Sequence, residues 1–325
     1  MMRSTKTSPA PTTIDALPSE ILRRIFRNLL FRDRKTASRV CHQWYEIAMD
    51  CNSIAFHVRL YDTKNTYTIS EIMNCKRPYK FLRVSYNMLP SRILNKFSNF
   101  AETLRISSMN AYMASEEQNF LGQLYRLKNL KRLILDCTFV PDNLQTNKHT
   151  CNNLRELIAY EVSFANFVNF NDFIAAAFPE LTKLVLTECD FDVPLRFSNL
   201  PALKQLVIEC GTPFDCTLLK DLGSLPNLHA FKLSCSQLDG IEQRFQLHHI
   251  TKLDLTVRVG DCQLVRMAEI FPALTSLNVA AREEYLSADV EGRVVEKLPR
   301  NCELKLRKLS DFVTDFTISG FNYFE

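Results

Sequence analysis

The chain has 325 residues, of which 46% are hydrophobic and 23% are charged, a composition typical of a folded globular protein of one or two domains. Its 40 Lys and Arg residues against 36 Asp and Glu residues leave a formal net charge of +4. This charge is too small and too dispersed to indicate a surface for nucleic acid or membrane, so we expect neither among the partners.

The sequence also predicts an intracellular protein, in the cytoplasm, the nucleus or both. It contains no run of roughly 20 uncharged apolar residues, the length that crosses a bilayer. Residues 1–13 lack the apolar stretch of a secretory signal, and we expect them to be disordered. The 11 cysteines include no CxxC pair, so we expect them to be reduced and mostly buried.

The first predicted element is an amphipathic helix that begins near Leu17 and Pro18. Proline suits the first turn of a helix because its missing N–H would find no helical partner there. Apolar residues then recur as adjacent pairs one turn apart: Ile21, Leu22, Ile25, Phe26, Leu29 and Leu30. This stripe is wider than packing against a single surface requires, so we expect two surfaces to cover it.

A second helical stretch follows, with Asp33 as its predicted N-cap and a break near Ser38. Its apolar side is marked by Ala37, Val40, Cys41, Trp44 and Ile47. About 40 residues rarely bury enough surface to be stable alone. Part of the wide apolar stripe should therefore contact either the rest of the chain, as a cap on it, or another protein.

Residues 14–52, which we call the N-terminal box, resemble the F-box family in the order and spacing of LPSEILRRIFRNL, Asp33 and SRVCHQW. Arg34 departs from the pattern, because the family usually carries an apolar residue there. The resemblance implies docking on the Skp-type adaptor of a cullin-RING ubiquitin ligase, and through the adaptor on a cullin. It implies these docking or docking-support residues: Leu17, Pro18, Ile21, Leu22, Ile25, Val40 and Trp44.

After the N-terminal box, seven copies of an LxxLxL-like motif begin at Leu130, Leu154, Leu181, Leu203, Leu228, Ile250 and Leu274. Their irregular period of roughly 22 to 27 residues lies within the range of leucine-rich repeats. Weaker copies at IAFHVRL, FLRVS, AETLRI and NCELKL extend the array over residues 53–309. We therefore predict a leucine-rich-repeat solenoid, in which stacked units bury one continuous core.

The motif predicts a short strand whose fourth and sixth residues point into the core while their neighbours point away from it. Prolines precede several strands, as in FPELTKL and FPALTSL, and end the preceding helices such as FNDFIAAAF and CQLVRMAEIF. The predicted fold class is therefore α/β. A helical F-box is followed by a curved solenoid, with a parallel sheet on the concave face and helices on the convex side.

The sequence gives no indication of catalysis, a cofactor or a metal site. Only seven glycines occur, and neither GxGxxG nor GxxxxGK[ST] is present to bind phosphates. None of the six histidines lies in an HExxH pattern, and GxSxG is absent. We expect no catalytic residue, no cofactor and no metal.

The middle outward positions of four successive strands are aliphatic, and we call them the apolar row: Ile134, Ile158, Val185 and Val207. We predict that this row and Tyr160 bind a target protein on the concave face. The alternative is that another part of the chain covers the row.

Residues 310–325 carry five aromatic residues, Phe312, Phe316, Phe321, Tyr323 and Phe324, and so many aromatic side chains seldom stay in water. This C-terminal segment either caps the open end of the solenoid or runs back across the concave face. Capping is favoured, because the last repeat of a solenoid must be closed.

By its resemblance to F-box proteins with leucine-rich repeats, the chain is predicted to be the substrate-receptor subunit of a Skp-cullin-F-box ligase. It would hold a target for ubiquitin transfer by a partner enzyme and perform no chemistry itself. The alternative is a non-catalytic leucine-rich-repeat scaffold that acts outside a ligase, and the departure at Arg34 leaves room for it.

Overall fold

The computed structural model describes residues 14, 17–50, 55–59, 69–74, 78–85, 91–107, 121–140, 150–191, 197, 200–241 and 245–309. The predictions for a disordered segment at residues 1–13 and for the C-terminal segment 310–325 concern residues outside these ranges.

The N-terminal box contains three short helices, α1 (Ser19–Arg27), α2 (Phe31–Ala37) and α3 (His42–Ala48). Pro18 immediately precedes α1, at its N-cap. The break predicted near Ser38 is confirmed, since it falls between α2 and α3. The N-cap predicted at Asp33 is wrong, because α2 starts two residues earlier and Asp33 lies inside its first turn. Cys41 caps α3, where its Sγ accepts a hydrogen bond from the backbone N–H of Trp44 at 3.5 Å.

Fifteen strands are described along the chain. They are β1 (Ala55–Arg59), β2 (Phe81–Ser85), β3 (Thr103–Ser107), β4 (Arg132–Asp136), β5 (Phe139–Val140), β6 (Glu156–Tyr160), β7 (Ser163–Phe164), β8 (Lys183–Thr187), β9 (Asp190–Phe191), β10 (Gln205–Glu209), β11 (Phe214–Asp215), β12 (Ala230–Asp239), β13 (Lys252–Arg258), β14 (Ser276–Arg282) and β15 (Glu303–Leu309).

Eleven of these strands form one parallel sheet in the order β1-β2-β3-β4-β6-β8-β10-β12-β13-β14-β15, and β11 adds to β12. Each strand pairs with the next long strand along the chain, as the repeated motif predicts. Leu133, Leu157, Leu184 and Leu206 are successive partners in the register, and each is fully buried. The leucines of the motif thus stack in one continuous line.

Helices and 3₁₀ turns connect the strands. The helices are α4 (Ile69–Asn74), α5 (Ser91–Phe97), α6 (Phe167–Ala177), α7 (Asp261–Ile270) and α8 (Val290–Val295), and the 3₁₀ turns are Leu121–Arg126, Cys216–Ser224 and Glu283–Tyr285. Two helices predicted from the sequence are confirmed as α6 and α7. Both pack against the core of the sheet, for example through Phe170 and Met267, which are fully buried.

Polar side chains form hydrogen bonds between successive strand-containing units of the chain. Asn129, Asn153 and Asn227 each donate a side-chain hydrogen bond of 2.7 Å to a backbone carbonyl 25 to 30 residues earlier. Thr182 and Thr275 donate similar bonds through Oγ1, at 2.9 and 3.1 Å. These five backbone carbonyls therefore have hydrogen-bond partners within the protein.

The carboxyl ends of three neighbouring strands share an unusual turn. Cys137, Glu161 and Glu188 follow β4, β6 and β8, and their φ angles are 46°, 50° and 49°. The N–H of each donates to a carbonyl at the end of the next strand, at 2.7 to 2.9 Å. The left-handed turn leads into a second, three-stranded sheet of β5, β7 and β9.

The described residues form two large hydrophobic cores. The main core contains buried side chains from Ile72 to Val294 and lies on one face of the eleven-stranded sheet. The N-terminal box has its own core of Leu22, Phe26, Ala37, Ile47 and Ala48. We call the sheet face that points away from the main core the distal face. A smaller third cluster, formed by the apolar row, lies there.

Candidate functional site

The seven predicted docking residues divide by burial into two groups. Leu22 is fully buried in the core of the N-terminal box, and Leu17 and Trp44 are half-buried against that core. The other four are exposed, namely Pro18, Ile21, Ile25 and Val40. The first group supports the helices, and the second is available to a partner.

The exposed apolar side chains of the N-terminal box are large. Ile21 is 45% exposed and Ile25 37%, and these residues lie one turn apart on α1. Val40, just before α3, is 60% exposed. Two further residues, Leu30 at 71% and Tyr45 at 37%, were not predicted as docking residues. Leu30 ends the predicted apolar stripe, but Tyr45 has no comparable sequence signal.

Arg34 has a structural role that its position in the sequence did not reveal. Its guanidinium donates to the backbone carbonyls of Leu29 at 3.1 Å and Arg27 at 2.6 Å, at the carboxyl end of α1. These carbonyls have no partner within the helix, and a cation there also complements the helix dipole. Burial and the nearby Arg27 lower the pKa of Arg34. The residue joins α1 to α2 in place of an apolar contact.

Trp44 supports the N-terminal box from α3. Its ring packs edge-on against Phe26 of α1, with 5.0 Å between the ring centroids and 63° between the planes. The indole Nε1 is buried and has no hydrogen-bond acceptor within the described part of the chain. Truncation of Trp44 would therefore disturb the core as well as any docking contact.

A cleft of about 440 Å³ lies between the N-terminal box and the amino ends of the first strands of the large sheet. Tyr45 and Met49 of the box line one side, and Phe100 and Asn129 line the other. The cleft lies between the two parts of the chain that have separate hydrophobic cores. Within the described ranges, Ile21 and Ile25 stay exposed, so the apolar stripe of α1 is only partly covered by the chain itself.

The predicted target-binding residues lie on the distal face, as the alternation along the strands requires. Ile134, Ile158 and Val185 form one cluster, and Val207 packs against it. Their exposure is low, at 8% for Ile134, 4% for Ile158 and 0% for Val185. The exposed face expected at these three positions is therefore not found. Tyr160 is half-buried, and burial together with Glu161 raises its pKa to about 12.

Charged side chains flank the apolar row on both sides. Toward the amino ends of the strands, Glu156 binds Arg132 at 2.9 Å and Lys183 at 2.6 Å. Toward the carboxyl ends, Glu209 binds Lys232 at 2.6 Å. An apolar centre with a rim of paired charges has the composition of a protein-binding surface.

The described cysteines are all free thiols, of which three are exposed, and burial opposes the ionisation of several of them. It raises the pKa of Cys151, Cys189, Cys216 and Cys235 to about 12. Thiols in this state are poor nucleophiles at neutral pH. In the same part of the chain, no group of three or more metal-ligating side chains is close enough to hold an ion. No described helix has the length and apolar character needed to span a bilayer.

Comparison with known families agrees with the geometry of the N-terminal box. The model of the F-box-like family matches residues 14–60, which comprise α1 to α3 and the strand β1. No curated protein sequence matches the chain. The predicted boundaries of 14–52 fall within the matched region. Residues 14–60 are an F-box-like domain.

Proposed function

We propose that the chain is the substrate-receptor subunit of a Skp-cullin-F-box ubiquitin ligase. F-box proteins are typically receptor or adaptor subunits and not catalysts. The observation that carries the proposal is the exposure of Ile21, Ile25 and Val40 on a domain with its own core. Exposed apolar side chains of this size on a small helical domain are typical of a docking surface. The partner is a Skp-type adaptor, and a cullin joins through it.

The charge around these residues supports an acidic partner surface. Arg23, Arg24 and Arg27 are exposed on α1, beside the exposed isoleucines. A rim of arginines around an apolar centre favours a partner with an apolar groove and acidic edges. Association should therefore slow as the ionic strength rises, while the apolar contacts keep the complex together.

For the rest of the chain we propose a leucine-rich-repeat solenoid over residues 53–309. The in-register stack of eleven parallel strands supports this proposal, together with the irregular motif spacing. Targets bind its distal face, through Ile134, Ile158, Tyr160, Val185 and Val207. Because three of these residues are buried, we expect a target to reach them only after a local rearrangement of this face. The complex acts in the cytoplasm, the nucleus or both.

Purified full-length protein tests the adaptor site. We expect the double change Ile21→Ser with Ile25→Ser to weaken binding to a Skp-type adaptor at least about tenfold in calorimetry. The matched control is Gln43→Ser, a change of an exposed polar side chain on α3, which lies outside the isoleucines and arginines of α1 and should leave the affinity nearly unchanged. These isoleucines are better probes than Leu17, which also packs against the core of the N-terminal box. Unchanged affinity in the double variant would refute the docking site.

Affinity purification from cells separates a ligase receptor from a scaffold that acts outside a ligase. We expect the wild-type chain to bring down both adaptor and cullin. The Ile21→Ser, Ile25→Ser variant should bring down neither. If the wild-type chain recovers neither protein while the purified chain still folds, the scaffold is the better description.

A further inference from the structure

The two halves of the distal face differ in burial and in charge pairing. On β8, Val185 is fully buried, and the neighbouring cation of Lys183 is held by Glu156 at 2.6 Å. On β13 and β15, Asp254 and Lys305 occupy the register position of Val185, and both are exposed. The half of the face on β13 to β15 is therefore accessible to a partner without any rearrangement.

A groove runs along β14 in this accessible half. The distal residues of β14 have short side chains: Ser276, Asn278 and Ala280. Longer charged side chains, all exposed, stand on the strands to either side: Lys252, Asp254 and Arg258 on β13, and Glu303, Lys305 and Arg307 on β15. The strands β13 and β15 lie two strand spacings apart, about 9.5 Å. The gap above β14 therefore has the width of one extended polypeptide chain.

Cations outnumber carboxylates along this groove. Its two carboxylates are already engaged, since Asp254 accepts a hydrogen bond of 2.5 Å from Asn278 and Glu303 binds a lysine of its own strand at 2.9 Å. Lys252 and Arg307, by contrast, form no ion pair with any carboxylate in the described part of the chain. An anionic partner would therefore gain charge pairs with both residues without breaking an existing pair.

The spacing of the cations on β15 matches that of side chains on an extended segment. Lys305 and Arg307 are two residues apart on the same face, about 6.6 Å along the strand. In an extended peptide, every second side chain points to the same side and repeats at this distance. Carboxylates at alternate positions of such a peptide therefore lie next to Lys305 and Arg307 in turn.

We propose that the groove along β14 binds an extended acidic segment of the target protein, with carboxylates at alternate positions beside Lys305 and Arg307. This inference rests on the proposed function, since it names the class of target that the distal face receives. Lys252 and Arg258, on the opposite wall, contact carboxylates that point to the other side of the segment. The groove provides a selectivity for negative charge that the apolar row does not have.

Fluorescence anisotropy with the purified full-length chain tests this groove. The probe is a labelled peptide of alternating Glu and Ser, with the 7-residue length of β14. We expect the double change Lys305→Glu with Arg307→Glu to weaken its binding at least about tenfold. The matched control is Lys128→Glu with Lys204→Glu, which changes the net charge equally at exposed positions before β4 and β10. The control should weaken binding less than about twofold, because salt screens charges this far from the groove.

A second variant, Ala280→Tyr, fills the groove without changing the charge and should also weaken peptide binding, and circular dichroism confirms that each variant is folded. Three results would overturn the proposal: no binding of the peptide to the folded wild-type chain, equal losses in the two charge variants, or tighter binding of an oligouridine of equal charge than of the peptide. Adaptor affinity, measured on the same samples, should not change in any variant. Loss of adaptor binding alone would count against the ligase role, and loss of peptide binding alone against the groove.

Discussion

Arg105 and Asp136 form an ion pair on the distal face, and each is less than 10% exposed. The guanidinium Nε lies 3.0 Å from Oδ2 of Asp136, and Ser107 donates to the same oxygen at 2.9 Å. A buried charge without its counterion is far less stable than a paired one, because it has lost its hydration. This pair therefore makes the first strands of the sheet sensitive to single substitutions.

We expect Asp136→Ala to lower the free energy of unfolding by about 3 kcal/mol or more, measured from urea midpoints. The double change Arg105→Met with Asp136→Leu should cost less than the single one, since it removes both charges. The control is Glu180→Ala, which breaks an exposed pair with Arg155 at 3.6 Å and should cost no more than about 0.5 kcal/mol. Equal losses for Asp136→Ala and Glu180→Ala would contradict the burial of the inner pair.

At the scale of the elements, the strand ends depend on a left-handed turn that the sequence does not mark with glycine. Cys137, Glu161 and Glu188 adopt positive φ, which costs an L-residue about 1 to 2 kcal/mol. The hydrogen bonds from their N–H groups to the next strand hold this turn. Because these three residues repeat the same turn, the small sheet of β5, β7 and β9 stays in phase with the large one.

Glycine at one of these positions should therefore be tolerated. We expect Glu188→Gly to change the free energy of unfolding by between zero and about 1 kcal/mol in the stabilising direction, because relief of the strained φ exceeds the added freedom of the unfolded chain. The same substitution in an extended, exposed position, Lys252→Gly, should destabilise by about 0.5 to 1 kcal/mol. Thermal melts of the two variants measure these changes. If Glu188→Gly lost as much stability as Lys252→Gly, the positive φ at Glu188 would be contradicted.

The long strands are the elements that could be predicted from the sequence. Each of the seven LxxLxL-like motifs coincides with a strand of the large sheet, and the weaker copies coincide with β1, β2, β3 and β15. Apolar and outward-facing residues alternate within each motif, so one motif is enough to predict its strand. The two-residue strands and the 3₁₀ turn Cys216–Ser224 have no such period, and they were not predicted.

The candidate sites were predicted less completely than the strands. The burial of the row from Ile134 to Val207 is a property of the tertiary structure, and alternation along one strand predicts only the face on which a residue lies. Similarly, the hydrogen bonds of Arg34 to the end of α1 depend on how two helices meet. In the F-box-like domain, by contrast, residue order predicted the helical stretches, but it did not separate the exposed residues from the buried ones.

At the scale of the whole molecule, the main core encloses thiols that resist ionisation. Burial raises the pKa of Cys151, Cys189, Cys216 and Cys235 from 9.0 to about 12. In the unfolded chain these thiols lose their protons near pH 9. Their contribution to stability is therefore present below pH 9 and is lost as the pH rises toward 12.

We expect the urea midpoint to fall between pH 8 and pH 10.5 more steeply in the wild-type chain than in a Cys216→Ala, Cys235→Ala variant. Lysine ionisation affects both proteins alike, so the difference in slope isolates the two thiols. Alanine at these buried sites lowers the midpoint at every pH, and the comparison therefore rests on slopes. Parallel slopes would show that the thiols are not enclosed as described.

The large sheet is open at its last strand, and this has a consequence for solubility. Among the described strands, β15 pairs only with β14, so one row of its backbone N–H and C=O groups faces outward. Such an edge is a template on which a second molecule can add a strand, and repetition of that step produces fibres. On β15, Glu303, Lys305 and Arg307 are exposed. Addition of a strand would take these charged side chains out of water, so they make β15 a poor template and oppose the growth of such fibres.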